Sequence, residues 1–212
     1  MMNPDRGKFI TVEGTEGVGK STNIAFIKQW LTQAGCDILV TREPGGTPLA
    51  EEIRDLLLTN RREKVDATAE LLLMFAARAQ HLNTLIEPAL ASGQWVLCDR
   101  FTDATFAYQG GGRDLDLQTI ANLEALVQGD RQPDMTFYLD IDVAEGLERA
   151  RQRGELDRFE QEDITFFEKV RDSYLNRIQQ YPDRFIVIDA SRSLADVQAA
   201  IGQALDQALR QR

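Results

Sequence analysis

Near the amino terminus, Gly14-Thr15-Glu16-Gly17-Val18-Gly19-Lys20-Ser21 carries a glycine-rich spacing that ends on a lysine and a hydroxyl. Glycines so placed let successive backbone N–H groups turn inward around an anion. The lysine adds a point charge at the outer phosphates, and the serine hydroxyl can ligate Mg²⁺. The pattern G-x-x-x-x-G-K-[ST] therefore predicts a nucleotide phosphate site. Its flanks agree: Phe9 to Val12 reads as a short buried strand, and Ile24, Ile27, Trp30 and Leu31 recur at helical spacing just after Ser21. A glycine-rich surface turn would not need that strand, loop and helix order.

Other residues could complete the chemistry. Asp99 ends the apolar run Trp95-Val96-Leu97-Cys98, where an acid would reach the shell of a nucleotide-bound Mg²⁺, and Arg100 follows it into the same site. Asp140 competes for the acidic role. It is followed by Val143-Ala144-Glu145, an ordinary helix start with Asp142 as its N-cap, so Asp99 is preferred. The segment from Arg149 to Arg158 sets Arg149, Arg151, Arg153 and Arg158 around Gly154. Such a segment reads as a lid over residues 149–160 whose arginines neutralise a transferring phosphoryl group. A solvated helix end, with Glu145, Glu148 and Glu155 as surface partners, explains the same charges. Phe75 and Arg78 lie three apart and share a helix face, an aromatic plate beside a forked donor that suits a planar base. On the residues alone, a core ring and a surface charge is the simpler reading. His81 is the single histidine and reads as structural.

These residues need elements to hold them. Apolar runs at Phe9 to Val12, Ile38 to Val40, Trp95 to Cys98, Met135 to Leu139 and Phe185 to Ile188 alternate with helical periodicity. Helical faces occur at Leu49, Ile53, Leu56 and Leu57, from Leu71 to Leu90, at Ile120, Leu123, Leu126 and Val127, at Phe167, Val170, Tyr174 and Ile178, and from Leu194 to Leu209. Nearly all-apolar strands separated by helices predict an α/β fold, a five-stranded parallel sheet with helices covering both faces. In such sheets ligands bind beyond the carboxyl ends of the strands. There the chain sets Gly14, Arg42-Glu43-Pro44-Gly45-Gly46, Asp99-Arg100 and Asp140-Ile141-Asp142.

Composition limits the partners. At 212 residues, 43% hydrophobic and 27% charged, the chain predicts one domain over residues 1–212. A formal charge of −10 argues against a nucleic acid polymer, whose binders need a basic face to displace counterions. Of the 24 basic residues 19 are arginine, the side chain that grips phosphate with two parallel hydrogen bonds, although genome composition explains such an excess equally well. No apolar stretch is long enough to span a membrane, and the first residues lack the apolar core of a signal peptide, so a cytoplasmic address is expected. Cys36 and Cys98 lie in or beside apolar runs and read as reduced core thiols, and one histidine argues against a zinc site.

Taken in order, Gly14 to Ser21, Arg42 to Thr47, Leu73 to Gln80, Asp99-Arg100-Phe101 and Ala107-Tyr108-Gln109-Gly110-Gly111-Gly112-Arg113 resemble bacterial thymidylate kinases across essentially the whole chain. The resemblance implies a P-loop NTPase-type fold, cytoplasmic and homodimeric. The implied activity moves the γ-phosphoryl of ATP to thymidine monophosphate with Mg²⁺. It places Gly14, Thr15, Glu16, Gly17, Val18, Gly19, Lys20, Ser21 and Thr22 on ATP, with Ser21 and Asp99 at the metal. It implies an acceptor set of Glu43, Pro44, Arg54, Phe75, Arg78, Arg100, Thr105, Tyr108 and Gln109. In that set Phe75 stacks on thymine, Arg78 bonds the base, Thr105 lies near the ring nitrogen, Arg100 holds the phosphate and Tyr108 guards against a ribose 2′-hydroxyl. Glu16 matches an acidic position near the acceptor's sugar and phosphate. Lys20, Glu16, Arg100, Arg151, Arg153 and Arg158 form the implied catalytic set, the last three because the lid rather than the loop carries arginine. Phe101 stands where many relatives have tyrosine or histidine. A kinase of another nucleoside monophosphate would share the loop and lid. A GTP-driven switch is excluded by the missing N-K-x-D, and a non-catalytic ATP-binding module would not need Lys20, Asp99 and Arg100 intact.

Overall fold

The computed structural model describes residues 6–152 and 157–210. Five strands, β1 (Phe9–Glu13), β2 (Ile38–Arg42), β3 (Trp95–Asp99), β4 (Met135–Asp140) and β5 (Phe185–Asp189), form one sheet in the order β2-β3-β1-β4-β5. Every neighbouring pair is parallel, with Val12 opposite Asp99 and Phe137. Each strand runs one or two residues beyond its apolar stretch and ends on a charged side chain: Glu13, Arg42, Asp99, Asp140 or Asp189. All five charges therefore stand along the carboxyl edge of the sheet.

Alternation along the strands sends side chains to two packed faces. Ile10 and Val12 of β1 pack with Leu97, Phe137, Leu139 and Ile188 against Ile24, Ile27 and Leu31 of α1 (Lys20–Gln33) and Val197, Ile201 and Leu205 of the last helix, Leu194–Arg210. Phe9, Val96 and Cys98 face the other way, onto Leu82, Ile86 and Leu90. The expectation that all strands are sheathed on both faces holds for β1 and β3. It fails at the sheet edges, where Val40 of β2 is 37% and Val187 of β5 49% exposed.

Between β2 and β3 run α2 (Pro48–Leu58), α3 (Ala67–His81), a π-helical turn (Leu82–Ile86) and α4 (Glu87–Ala91). Asp66 caps α3 by accepting from the Thr68 and Ala69 amides, as an N-cap aspartate should. The periodic stretch from Leu71 to Leu90 is thus not one regular helix, because a single turn with a wider hydrogen-bond spacing interrupts it after His81. A second π-helical segment (Phe106–Gly112) follows the short α5 (Thr102–Thr105) and packs on the long helix Ile164–Gln180, which follows α6 (Leu117–Gln128) and α7 (Val143–Arg151) and is therefore α8. Gly111 and Gly112 permit that approach, since a Cβ there would sit 2.7 Å from the Lys169 carbonyl or 2.4 Å from the Phe166 ring. Helix Leu194–Arg210 is α9. Cys36 and Cys98 are buried free thiols, and among the described residues no helix is long and apolar enough to cross a membrane.

Candidate active site

The glycine-rich loop joins β1 to α1 as its spacing requires. Gly17 and Gly19 take φ angles of 72° and 85°, in the left-handed region open to glycine. At Gly17 a Cβ would also lie 1.9 Å from the Gly146 carbonyl, so the loop rests directly on α7. Lys20 Nζ donates to the carbonyls of Gly14 (3.1 Å) and Thr15 (2.8 Å), inside the curve of the loop. Burial lowers the lysine's pKa, and the neighbouring Arg100 lowers it further. An anion with outer phosphates would relieve both effects.

Arg100 stands across the cavity at the tip of β3. Its φ of 66° is left-handed, which turns the chain sharply after Asp99. Two hydrogen bonds hold that turn: the Arg100 amide donates to the Val12 carbonyl at 3.0 Å, and the Phe101 amide to Glu13 Oε1 at 2.7 Å. The guanidinium then donates to Glu16 Oε1 (2.6 Å) and toward the Tyr174 hydroxyl (3.3 Å) and lies 4.7 Å from the centre of the Tyr108 ring. Tyr108 donates its hydroxyl to the same Glu16 oxygen at 2.8 Å. Glu13 is fully buried beneath this group and accepts from Tyr174 at 2.7 Å. Its carboxyl is pushed up to about 8, by burial first and by the Asp103 charge second, against the lowering effects of Arg100, Tyr174 and the Phe101 amide. The residue order alone does not single out Glu13.

At the far end of the cavity, Arg78 of α3 is 3% exposed and held from three sides. Its Nε donates to Glu43 (2.7 Å), and its Nη2 donates to the Phe101 carbonyl (3.1 Å) and to Thr105 Oγ1 (2.9 Å). Nη1 is buried with no hydrogen-bond partner, although Arg78 lines the cavity. Arg78 is therefore not the surface charge that composition alone suggests. Phe75 is the core ring that the residues alone suggested and not the stacking plate that the resemblance implied: it is 2% exposed, packs with Leu71, Phe106 and Ile120, and contributes nothing to the cavity wall. Its ring instead backs the Arg78 guanidinium at 4.9 Å, with Phe101 5.0 Å away. Met74, four residues before Arg78, is the α3 side chain that lines the cavity beside it. The physical reason is helical phase, since positions three and four before Arg78 both border its face and only one can point outward from the core. Glu43 lines the cavity too, but both its oxygens are taken, one by Arg78 and one by His81.

One cavity of about 440 Å³ connects these groups. Glu16, Gly17, Val18, Gly19, Lys20, Ser21, Thr22, Pro44, Arg54, Thr105, Tyr108 and Gln109 lie in its wall as expected from sequence; Gly14 and Thr15 stand behind, touching Lys20 through their carbonyls. Arg54 is steadied by donating to the Pro44 carbonyl (2.8 Å), and Gln109 by donating to Glu70 (2.8 Å).

For a divalent cation the relevant residues are Ser21 and Asp99, both in the wall, and the buried Asp99 Oδ1 has no hydrogen-bond partner. Among the described residues no cluster of three or more ligating side chains exists. A hydroxyl, one unpaired carboxylate oxygen and an opening toward nucleotide phosphates fit Mg²⁺, which keeps waters and phosphate oxygens in its shell. Asp140 is excluded from that role because Arg171 occupies both its oxygens, at 2.7 and 2.8 Å.

The lid arginines divide. Arg149 lines the cavity, while Arg151 is exposed at the end of α7 and outside the wall. Arg153 lies outside the described residues. Arg158 corrects the expectation of a phosphate-facing role: its Nε donates to the Leu57 carbonyl at 2.7 Å and its Nη2 pairs with Glu70 at 2.8 Å. That pairing with a fully buried carboxylate pins the segment against α2 and α3. Asp157, Phe159 and Glu160, which sequence reasoning passed over, join the wall beside it.

Comparison with known proteins places this geometry in one group. A family model described as thymidylate kinase matches residues 12–201. The thymidylate kinase of Teredinibacter turnerae is 66% identical over 200 residues, covering 94% of this chain and 98% of that protein. That of Chromohalobacter salexigens is 62% identical over 205 residues, covering 96% and 97%. The crystal structure of thymidylate kinase from Ehrlichia chaffeensis superposes with a TM-score of 0.78 at 32% identity, covering 95% of this chain and 99% of that one. With a phosphate loop at one end of its cavity and a buried, half-used arginine at the other, the chain belongs to the thymidylate kinase family.

Proposed function

We propose that this protein transfers the γ-phosphoryl group of ATP to thymidine 5′-monophosphate, yielding ADP and thymidine diphosphate on the route to dTTP. The observation that carries the reading is Arg78, whose Nη1 is left without a partner in the cavity wall while Nε and Nη2 are committed. A buried donor with one free nitrogen suits a carbonyl on the edge of a planar base and rejects an amino group there. Thymine offers that carbonyl. Met74 supplies an apolar surface in the same wall, and the Tyr108 ring, also in the wall, suits the exclusion of a ribose 2′-hydroxyl.

The chemistry needs two anions brought together rather than a protein nucleophile. Loop amides and Lys20 hold the donor's phosphates, while Arg100, braced by Glu16, holds the acceptor's phosphate. An acceptor oxygen attacks the γ-phosphorus, the bond to the β–γ bridging oxygen breaks, and its electron pair leaves with ADP. Charge stabilisation by Lys20, Arg100 and the lid arginines supplies the rate. In the lid, Arg149 lines the cavity and Arg151 is exposed nearby at the end of α7. Ser21 and Asp99 would hold Mg²⁺, whose charge would offset that of the phosphates.

The working form is a cytoplasmic homodimer. Supporting this, α2, α3 and α6 pack side by side and carry Leu56, Leu72 and Leu126 at 51%, 52% and 79% exposure. A second copy would cover such side chains. The enzyme's test is ADP release with ATP, Mg²⁺ and thymidine monophosphate: release that depends on the acceptor supports the reading, and release without any acceptor overturns it.

A further inference from the structure

The single histidine has no place in the mechanism above, yet it is fully buried and bonded at both ring nitrogens. Its Nδ1 lies 3.0 Å from Glu43 Oε1 and its Nε2 2.7 Å from Thr41 Oγ1. Glu43, 5% exposed, spends its other oxygen on Arg78 Nε. The chain of contacts therefore runs Thr41, His81, Glu43, Arg78, and ends on a guanidinium that lines the cavity and whose Nη1 has no hydrogen-bond partner. Gly46 makes room for it, because a Cβ there would lie 2.4 Å from His81 Nε2 and 2.5 Å from Thr41 Oγ1.

We infer that His81 is a positioning residue for base recognition: through Glu43 it fixes the rotation of the Arg78 guanidinium and so the aim of Nη1. This rests on the thymidylate reading of the same site. A carboxylate that touched Arg78 alone could swing about its side-chain torsions and take the planar fork with it. Anchoring the second oxygen removes that freedom, as outer partners do for ligand-holding side chains. Glu43 stays ionised here, since Arg78 and His81 more than offset the raising effect of burial and hold its carboxyl below the usual range. An ionised carboxylate only accepts, so Nδ1 carries the hydrogen toward Glu43, and Nε2 accepts from the Thr41 hydroxyl when the ring is neutral.

The experiment compares His81→Asn, whose amide can replace the Nδ1 donor, with His81→Gln, whose longer amide reaches instead toward Thr41. Both are measured with thymidine monophosphate and with 5-methyldeoxycytidine monophosphate, acceptors that differ in a carbonyl or an amino group at position 4 and in the hydrogen that thymine carries at N3. For His81→Gln the expected result is a roughly tenfold rise in KM for thymidine monophosphate, the size of one charge-assisted hydrogen bond. KM for ATP should stay within twofold, and the preference over the methylcytidine analogue should narrow. His81→Asn should restore most of that preference. In the native protein, ¹⁵N spectra of the one imidazole should show the Nδ1–H tautomer. Equal losses with both acceptors and both variants, or an Nε2–H tautomer, would overturn the inference. If the native enzyme fails to use thymidine monophosphate at all, the functional reading falls instead, and the tautomer alone then decides the contact.

Discussion

Glu13→Gln should change how the stability of this protein depends on pH, because Glu13 acts with a sign opposite to that of the ion-paired buried carboxylates Glu43 and Asp103. Glu13 is fully buried, and its carboxyl is raised from 4.5 to about 8 by burial and by the charge of Asp103. A raised folded value means that the folded chain keeps a proton that the unfolded chain releases. Stability is then greatest below the unfolded value and is lost as pH rises through the folded one. One such proton is worth about 1.4 kcal/mol per pH unit. From about pH 5 to about pH 7.5 the native protein should therefore lose roughly 3 kcal/mol, or about 6–12 °C in Tm for a chain of this size. The carboxyls held low, Glu43, Glu51 and Asp103 among them, act below that window and with the opposite sign. Glutamine cannot ionise, and its oxygen can still accept from the Phe101 amide, so the variant should melt at a nearly constant temperature across the window. Calorimetry of both proteins at several pH values is the assay. A native Tm that is flat or rising from about pH 5 to about pH 7.5, or a variant that keeps the native slope, would refute the reasoning.

Lys20→Ala should leave the melting curve near native and remove transfer by 10²-fold or more, since a cation is lost from a desolvated phosphate site; transfer assays with matched melts check it, and activity within tenfold of native would contradict the loop's role. Met74→Ala should raise KM for thymidine monophosphate by several-fold with little loss of stability, whereas Phe75→Ala, which empties a fully packed site, should cost about 3–5 kcal/mol in stability, read by denaturant titration. The reverse ranking would restore the ring as the base-stacking element. Leu126→Glu, at the most exposed of the large apolar side chains among the described residues, should shift a homodimer toward monomer in sedimentation equilibrium, and a native protein that is monomeric at all concentrations would remove the assembly.

Much of this site could be read from residue order because its parts are backbone parts. A loop that must turn amides inward needs glycine at fixed places, so Gly14 to Ser21 announces itself, and apolar runs of strand length between helical periods leave few sheets to consider. The parallel sheet and the converging strand ends were legible on those grounds. What sequence hid depends on partners distant along the chain. Glu13 looks like a strand terminus until Tyr174 and Phe101 are seen to donate to it. Arg158 looks like any lid arginine until Glu70, far away in sequence, claims it. Phe75, an aromatic ring beside Arg78 in sequence, suits a base, while the phase of α3 turns the ring into the core and sets it under Arg78. A hint was present: Met74 and Arg78 are four apart, a spacing that shares a face as well as three does.

The central claim, that a free nitrogen of Arg78 selects a thymine carbonyl while the loop and Arg100 bring two phosphates together, is tested most directly by acceptor choice. With ATP and Mg²⁺ fixed, kcat/KM is measured for the monophosphates of thymidine, deoxyuridine, deoxycytidine, deoxyadenosine and deoxyguanosine. Thymidine monophosphate should rank first, deoxyuridine monophosphate should follow at a cost of about 10-fold for its missing methyl group, and the cytidine and purine acceptors should be poorer still. A purine or cytidine monophosphate ranking first would contradict the account.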